Sequence, residues 1–201
     1  MQTLGYGLLA LLCTTQAIAA GDPAIGKSTA VICIGCHGSD GNSSNPAYPK
    51  LAGQGQKYLM KQLTDFKSGA RQESHMSSMV EAIDKADIAN LAAWFASHKT
   101  ATGSYDKGLA RQGKTIFHNG IDRKNIAACD GCHGEDGRGN PAVSFPSLAG
   151  QHPEYISRML AAFRSKQRHN DNGEMMRNIA AGLSNEEIEA VAHYVASLNK
   201  G

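Results

Sequence analysis

Five consecutive residues, Cys33-Ile34-Gly35-Cys36-His37, recur in type as Cys129-Asp130-Gly131-Cys132-His133. Two thiols three positions apart on one helical turn reach the two vinyl groups of a single porphyrin. The histidine that follows is then held beneath the iron. The spacing therefore predicts one covalent c-type haem on Cys33 and Cys36 and a second on Cys129 and Cys132, with His37 and His133 as iron ligands. A zinc ribbon would place its two Cys pairs about 15–20 residues apart, whereas Cys33 and Cys129 are 96 positions apart. A thioredoxin-like redox pair needs a strand before it, and no strand-like alternation precedes either pair. An exported chain with four cysteines invites a disulfide framework, and the two motifs argue against that reading.

Each iron has a second axial position. The candidates are His75, Met76 and Met79 in the first half and His169, Met175 and Met176 in the second. Only Met76 and Met176 keep register, each seven residues before the apolar residue (Ile83, Leu183) that precedes a cap residue (Asp84, Ser184). Met79 aligns with Ile179 and Met175 with His75, so Met79 or a histidine in one half remains the alternative. A thioether opposite an imidazole favours Fe(II) and raises the potential. Met60 and Met159 fall in helical stripes and read as core. His98, His118, His152 and His193 read as surface or helix-end residues. Arg164, Lys166 and Arg168 read as a solvated face or as partners of a haem propionate.

The elements that position these groups form an internal repeat. Tyr48-Pro49-Lys50-Leu51-Ala52-Gly53-Gln54 matches Phe145-Pro146-Ser147-Leu148-Ala149-Gly150-Gln151. Tyr58, Leu59, Leu63 and Phe66 correspond to Tyr155, Ile156, Leu160 and Phe163. Ile88, Leu91, Ala92 and Phe95 correspond to Ile188, Val191, Ala192 and Val195, both in the i, i+3, i+4, i+7 stripe of an amphipathic helix. Ser184 with Glu187 predicts a capping box, and Asp84 with Asp87 resembles one. A short helix is expected to lead into each motif, over 24–32 and over 109–117. Each half is thus predicted to be all-α, within domains 20–100 and 107–201. Residues 99–106 are polar and contain Gly103; within them 101–106 is the expected linker, too short to let the halves separate far.

Residues 1–19 read as a signal peptide, apolar from Leu4 to Leu12 and ending in Ala17-Ile18-Ala19, with cleavage expected after Ala19. No Lys or Arg precedes the apolar run, which departs from the usual export signal. Cleavage would remove Cys13. The charge is balanced, at +2 overall and +1 in each half, which excludes a polybasic nucleic-acid binder. Each ferric haem with ionised propionates adds about −1. Aromatic residues are only 6 % of the chain, sparse for two small cores. The porphyrins are expected to fill them, so that neither half packs compactly without haem.

These features resemble the cytochrome c4 family: two tandem class I cytochrome c domains, an Ala-Gly-Asp mature start and the doubled aromatic-Pro-x-Leu-Ala-Gly-Gln segment. The resemblance covers residues 20 to 200. It implies a periplasmic dihaem electron carrier, soluble or loosely membrane-attached, with axial pairs His37/Met76 and His133/Met176. It also implies that Pro49 and Pro146 pack beside the proximal histidines, that a nearby carbonyl accepts each Nδ1–H, and that the propionates face each other between the halves. Ile83-Asp84 departs from a frequent Leu-Ser.

The expected role is a shuttle and not an enzyme. It would take electrons from a quinol-cytochrome c reductase or a periplasmic dehydrogenase to a terminal oxidase, with no small-molecule substrate. The alternative is the dihaem subunit of a flavocytochrome c sulfide dehydrogenase. A dihaem peroxidase or thiosulfate dehydrogenase would need one iron with an open or replaced sixth position, which two register-matched methionines argue against.

Overall fold

A computed structural model describes residues 21–198. The expected signal segment, its cleavage site and Cys13 lie outside the described residues. The first half contributes α1 (Pro23–Thr29), α2 (Val31–His37), α3 (Gln56–Ser68), α4 (Ser74–Glu81) and α5 (Ile88–Ala96). The second contributes α6 (Lys107–Asn119), α7 (Asp130–His133), α8 (Pro153–Arg164), α9 (Met175–Ala181) and α10 (Asn185–Ser197). Among the described residues there are no strands, only the isolated bridges Ile121–Ile126 and Asn140–Phe145. No helix among them is long and apolar enough to cross a membrane.

Both halves use one plan. The first helix crosses the last, α1 on α5 and α6 on α10, while α3 and α8 pack against the same last helices. The crossing needs glycine. A Cβ on Gly26 would overlap the carbonyl oxygen of Asn90, and one on Gly113 that of Ala190, so backbone meets backbone with no side chain between. Each half has its own apolar core. In the first it includes Leu59, Phe66, Leu91 and Phe95; in the second it includes Phe117, Ile156, Leu160 and Val195. Burying each such side chain contributes about 1.5–3 kcal/mol.

The termini of these elements differ from expectation in two places. The helix expected over 24–32 is two helices. Ala30, 1 % exposed, ends α1 with ψ near −9° and turns the chain from the α5 crossing into the first haem motif. The second half instead runs α6 unbroken and places residues 120–129 between it and α7. The capping box at Ser184 forms in full: the Ser184 side chain accepts from Glu187 N–H, and the Glu187 carboxylate accepts from Ser184 N–H. At Asp84 no side-chain cap bond forms, and a 3-10 turn, Lys85–Asp87, precedes α5.

The stretch between the halves is strapped down and does not act as a loose tether. Asn42 accepts from Ala101 N–H and donates to the Lys99 carbonyl, and Thr100 Oγ1 donates to the Ala52 carbonyl.

Candidate functional site

The turn of α2 carries Cys33, Cys36 and His37; Cys129 caps the start of α7, which carries Cys132 and His133. The four cysteines are free of disulfides. Cys33 and Cys129 are half-buried, and Cys36 and Cys132 are exposed. Burial, with a smaller push from Cys36, raises the Cys33 thiol to about 11. Burial, then Asp130, raises that of Cys129 to about 11. Neither is the stabilised thiolate of a redox-active Cys pair.

His37 and His133 are buried, at 4 % and 7 % exposed. His37 Nδ1 lies 2.8 Å from the Pro49 carbonyl oxygen, and His133 Nδ1 lies 2.9 Å from that of Pro146. A carbonyl only accepts, so Nδ1 carries the proton and Nε2 keeps a lone pair for a metal. Burial lowers both imidazole pKa values more than these hydrogen bonds raise them, which keeps the rings neutral and ready to ligate. The expected role of Pro49 and Pro146 is thus given atoms: each supplies the accepting carbonyl itself.

Both histidines line one continuous cavity of about 560 Å³ whose walls come from both halves. Its lining includes Leu59, Phe66 and Leu91 on one side and Ile156, Leu160 and Val191 on the other. A mostly apolar void beside two Cys-x-x-Cys-His turns, each with an imidazole nitrogen to spare, fits two flat, greasy, iron-bearing macrocycles. Of the axial candidates, Met76 and Met176 line this cavity and are half-buried against their cores. Met79 and Met175 also line it but are 45 % and 43 % exposed. His75 borders it and is exposed, and His169 does not border it.

Arginines stand where the two halves meet. Arg71 is 8 % exposed and stacks 4.5 Å from the Phe66 ring; Arg168 stacks 4.5 Å from Phe163. Each reaches a tyrosine of the opposite half, Arg71 to Tyr155 OH at 3.2 Å and Arg168 to Tyr58 OH at 3.1 Å. Both also donate to Gln62 Oε1. Among the described residues neither pairs with a carboxylate. Burial would raise the Tyr155 phenol, but the two guanidiniums outweigh it and hold the phenol below its usual value. This is a cavity wall with spare positive charge, suited to anionic edge groups of a haem. Of the three cations expected near a propionate, only Arg168 lines the cavity. Arg164 instead ties α8 to the Leu183 carbonyl and Asn185.

The sequence reading missed the seam between the halves. Gln54 and Gln151 end the doubled Leu-Ala-Gly-Gln segments, and each amide reads the other half's backbone. Gln54 accepts from Ser147 N–H at 2.8 Å and donates to Ser147 O at 2.9 Å. Gln151 does the same with Lys50, at 2.8 and 2.9 Å. His152, expected at the surface or a helix end, precedes α8 but is 9 % exposed and bonds to the Ser43 carbonyl across the seam. Met159, expected in a core, receives a contact from Arg71 at 3.4 Å. His118, expected at the surface or a helix end, lies in the last turn of α6 and there bridges Asp130 at 2.9 Å and Tyr194 at 2.7 Å. The signal for the seam was present in the repeated Gln, a polar side chain kept at the end of the doubled Leu-Ala-Gly-Gln segment.

Two all-α units, each built on a Cys-x-x-Cys-His turn with a backed imidazole, define a c-type cytochrome with two covalent haems, on Cys33/Cys36 and Cys129/Cys132. The Cytochrome c family profile matches residues 24–99 and again 110–199. The chain is 43 % identical over 193 residues to cytochrome c4 of Pseudomonas aeruginosa, covering 96 % of each. It superposes with a TM-score of 0.87 on reduced recombinant cytochrome c4 from Pseudomonas stutzeri, at 41 % identity, covering 90 % of this chain and all of that one. A thiosulfate dehydrogenase electron acceptor of Stutzerimonas stutzeri is 36 % identical over 204 residues, 96 % of this chain and 94 % of its own. The chain belongs to the cytochrome c4 family.

Proposed function

We propose that the axial pairs are His37/Met76 and His133/Met176. We further propose that the protein is a periplasmic carrier taking electrons from a quinol-oxidising complex or a dehydrogenase to a terminal oxidase, without catalysis of its own. The observation that carries this reading is the single cavity shared by both histidines and both half-buried methionines. When bound, the haems supply one-electron Fe(III)/Fe(II) couples. The protein's part is to fix ligands and exclude water. The Pro49 and Pro146 carbonyls lock the imidazole planes and raise their basicity. Met76 and Met176 would offer the iron soft sulfur, leaving no free place for oxygen or peroxide. Arg71 and Arg168 place positive charge in the walls between the two sites.

Carbon monoxide tests the ligation. The reduced wild-type protein is expected to bind none, and Met176→Ala is expected to bind it at one haem. Uptake by the wild-type protein would refute the assignment. A second reading, a bound acceptor subunit of a sulfur-oxidising dehydrogenase, draws support from the relative named as a thiosulfate dehydrogenase electron acceptor. The flavocytochrome c sulfide dehydrogenase form of that reading predicts a co-purifying flavoprotein. Purification from the native source as a lone chain that reduces an oxidase favours the carrier.

A further inference from the structure

Lys50 is a buried cation that the ligation of haem does not use. The residue is 6 % exposed, and among the described residues no carboxylate pairs with it. Its ammonium donates to three backbone carbonyls: Ala101 at 2.7 Å, Thr102 at 3.1 Å and Gly150 at 2.9 Å. An ammonium has three donors, and here all three are used. Two acceptors lie on the stretch between the halves and the third on the second half, while Lys50 itself belongs to the first. Its backbone N–H and C=O are held by Gln151. One residue thus ties together both halves and the connection between them.

The tie is one-sided. Ser147 occupies the matching position in the repeat, and its hydroxyl reaches only Gly137 of its own half, at 3.4 Å. The amide pairs at Gln54 and Gln151 are reciprocal, whereas Lys50, like His152 opposite Gly55, breaks the pseudo-two-fold seam. Burial without a countercharge lowers the Lys50 pKa, a cost in stability that an uncharged residue would avoid.

We propose that Lys50 is a positioning residue for electron exchange between the two haem sites, fixing the separation of the halves by clamping the connection to both. This rests on the reading of the protein as a carrier whose two sites exchange electrons. Exchange falls steeply with separation, so a clamp on the seam acts on its rate without touching either iron.

The test uses the holoprotein with both haems in place and Lys50→Met, which keeps the unbranched stem and removes the charge. Exchange is followed after rapid reduction by radiolysis, and tryptic cleavage after Lys99 and Lys107 reports opening of the connection. Cleavage is expected to quicken about tenfold, because it tracks the population in which hydrogen bonds to a charged group are lost. Exchange is expected to slow several-fold, with the visible spectra of both haems retained. A wild-type rate of exchange in the variant would overturn the proposal, whatever the rate of cleavage. So would loss of haem from either half, because the role lies between halves that each load their own haem. If the wild-type protein shows no exchange, the carrier reading fails, and the cleavage arm still decides the clamp.

Discussion

At the crossing of first and last helices the halves carry the same glycine and a different partner. Gly26 is followed four positions on by Ala30, and Gly113 by Phe117. On the opposing helix the sizes reverse: Phe95 in α5 corresponds to Val195 in α10. All four side chains are buried, at 1, 0, 4 and 0 % exposure for Ala30, Phe117, Phe95 and Val195. One half fills its core from the last helix and the other from the first. Phe117 also packs against Tyr194, ring centroids 5.2 Å apart. The haem-facing set is common to both halves, while the packing behind it has been worked out separately. A repeat can therefore keep its chemistry in register and still have two cores whose parts do not interchange.

That comparison can be broken most forcefully at Phe117. Phe117→Ala is expected to cost about 3–5 kcal/mol, seen as early melting of the second half when each haem's absorbance is followed separately. Adding Val195→Phe should recover part of the loss by restoring volume from the other side. Equal loss in both halves would mean that the cores are not separate.

Acid should widen the difference between the halves. Burial pulls Glu187 upward, but hydrogen bonds from Lys124 and the Ser184 N–H outweigh it and hold the carboxyl below its ordinary value of 4.5. Asp171 is likewise held below 3.8, burial opposing and Arg177 prevailing. A carboxyl depressed in the folded state adds stability above its ordinary value and loses it as pH falls from there through the folded value. The second half is therefore expected to lose more stability than the first below pH 4.5. Glu187→Gln should cost about 1.5 kcal/mol at neutral pH and much less in strong acid, by denaturant titration. The smallest effect separates the two caps. Ser184→Ala is expected to cost about 1 kcal/mol, while Asp84→Ala, which removes no cap bond, should stay within about 0.5 kcal/mol.

The haem turns were legible because thioether and imidazole chemistry imposes its spacing on neighbouring residues. The long helices were legible because their apolar stripes repeat. The break at Ala30 was not: nothing in an alanine marks a turn, and the bend is set by α5 lying across it. The failed cap at Asp84 has the same character, since a carboxylate of the right type was present but a 3-10 turn took the start of the helix. His152 and Lys50 look like surface residues by type. They are buried because a second copy of the fold lies against them, a partner that no local pattern describes. The axial methionines could be ranked by register in the repeat; Met76 and Met176 are half-buried, while Met79 and Met175 are exposed.

The amide of Gln54 grips Ser147, the residue directly after Pro146, whose carbonyl steadies the His133 ring; Gln151 grips Lys50, directly after Pro49, which steadies His37. Each imidazole is thus braced, at one remove, from the opposite side of the seam. The wiring is crossed: a disturbance that parts the halves loosens both ligand mountings at once.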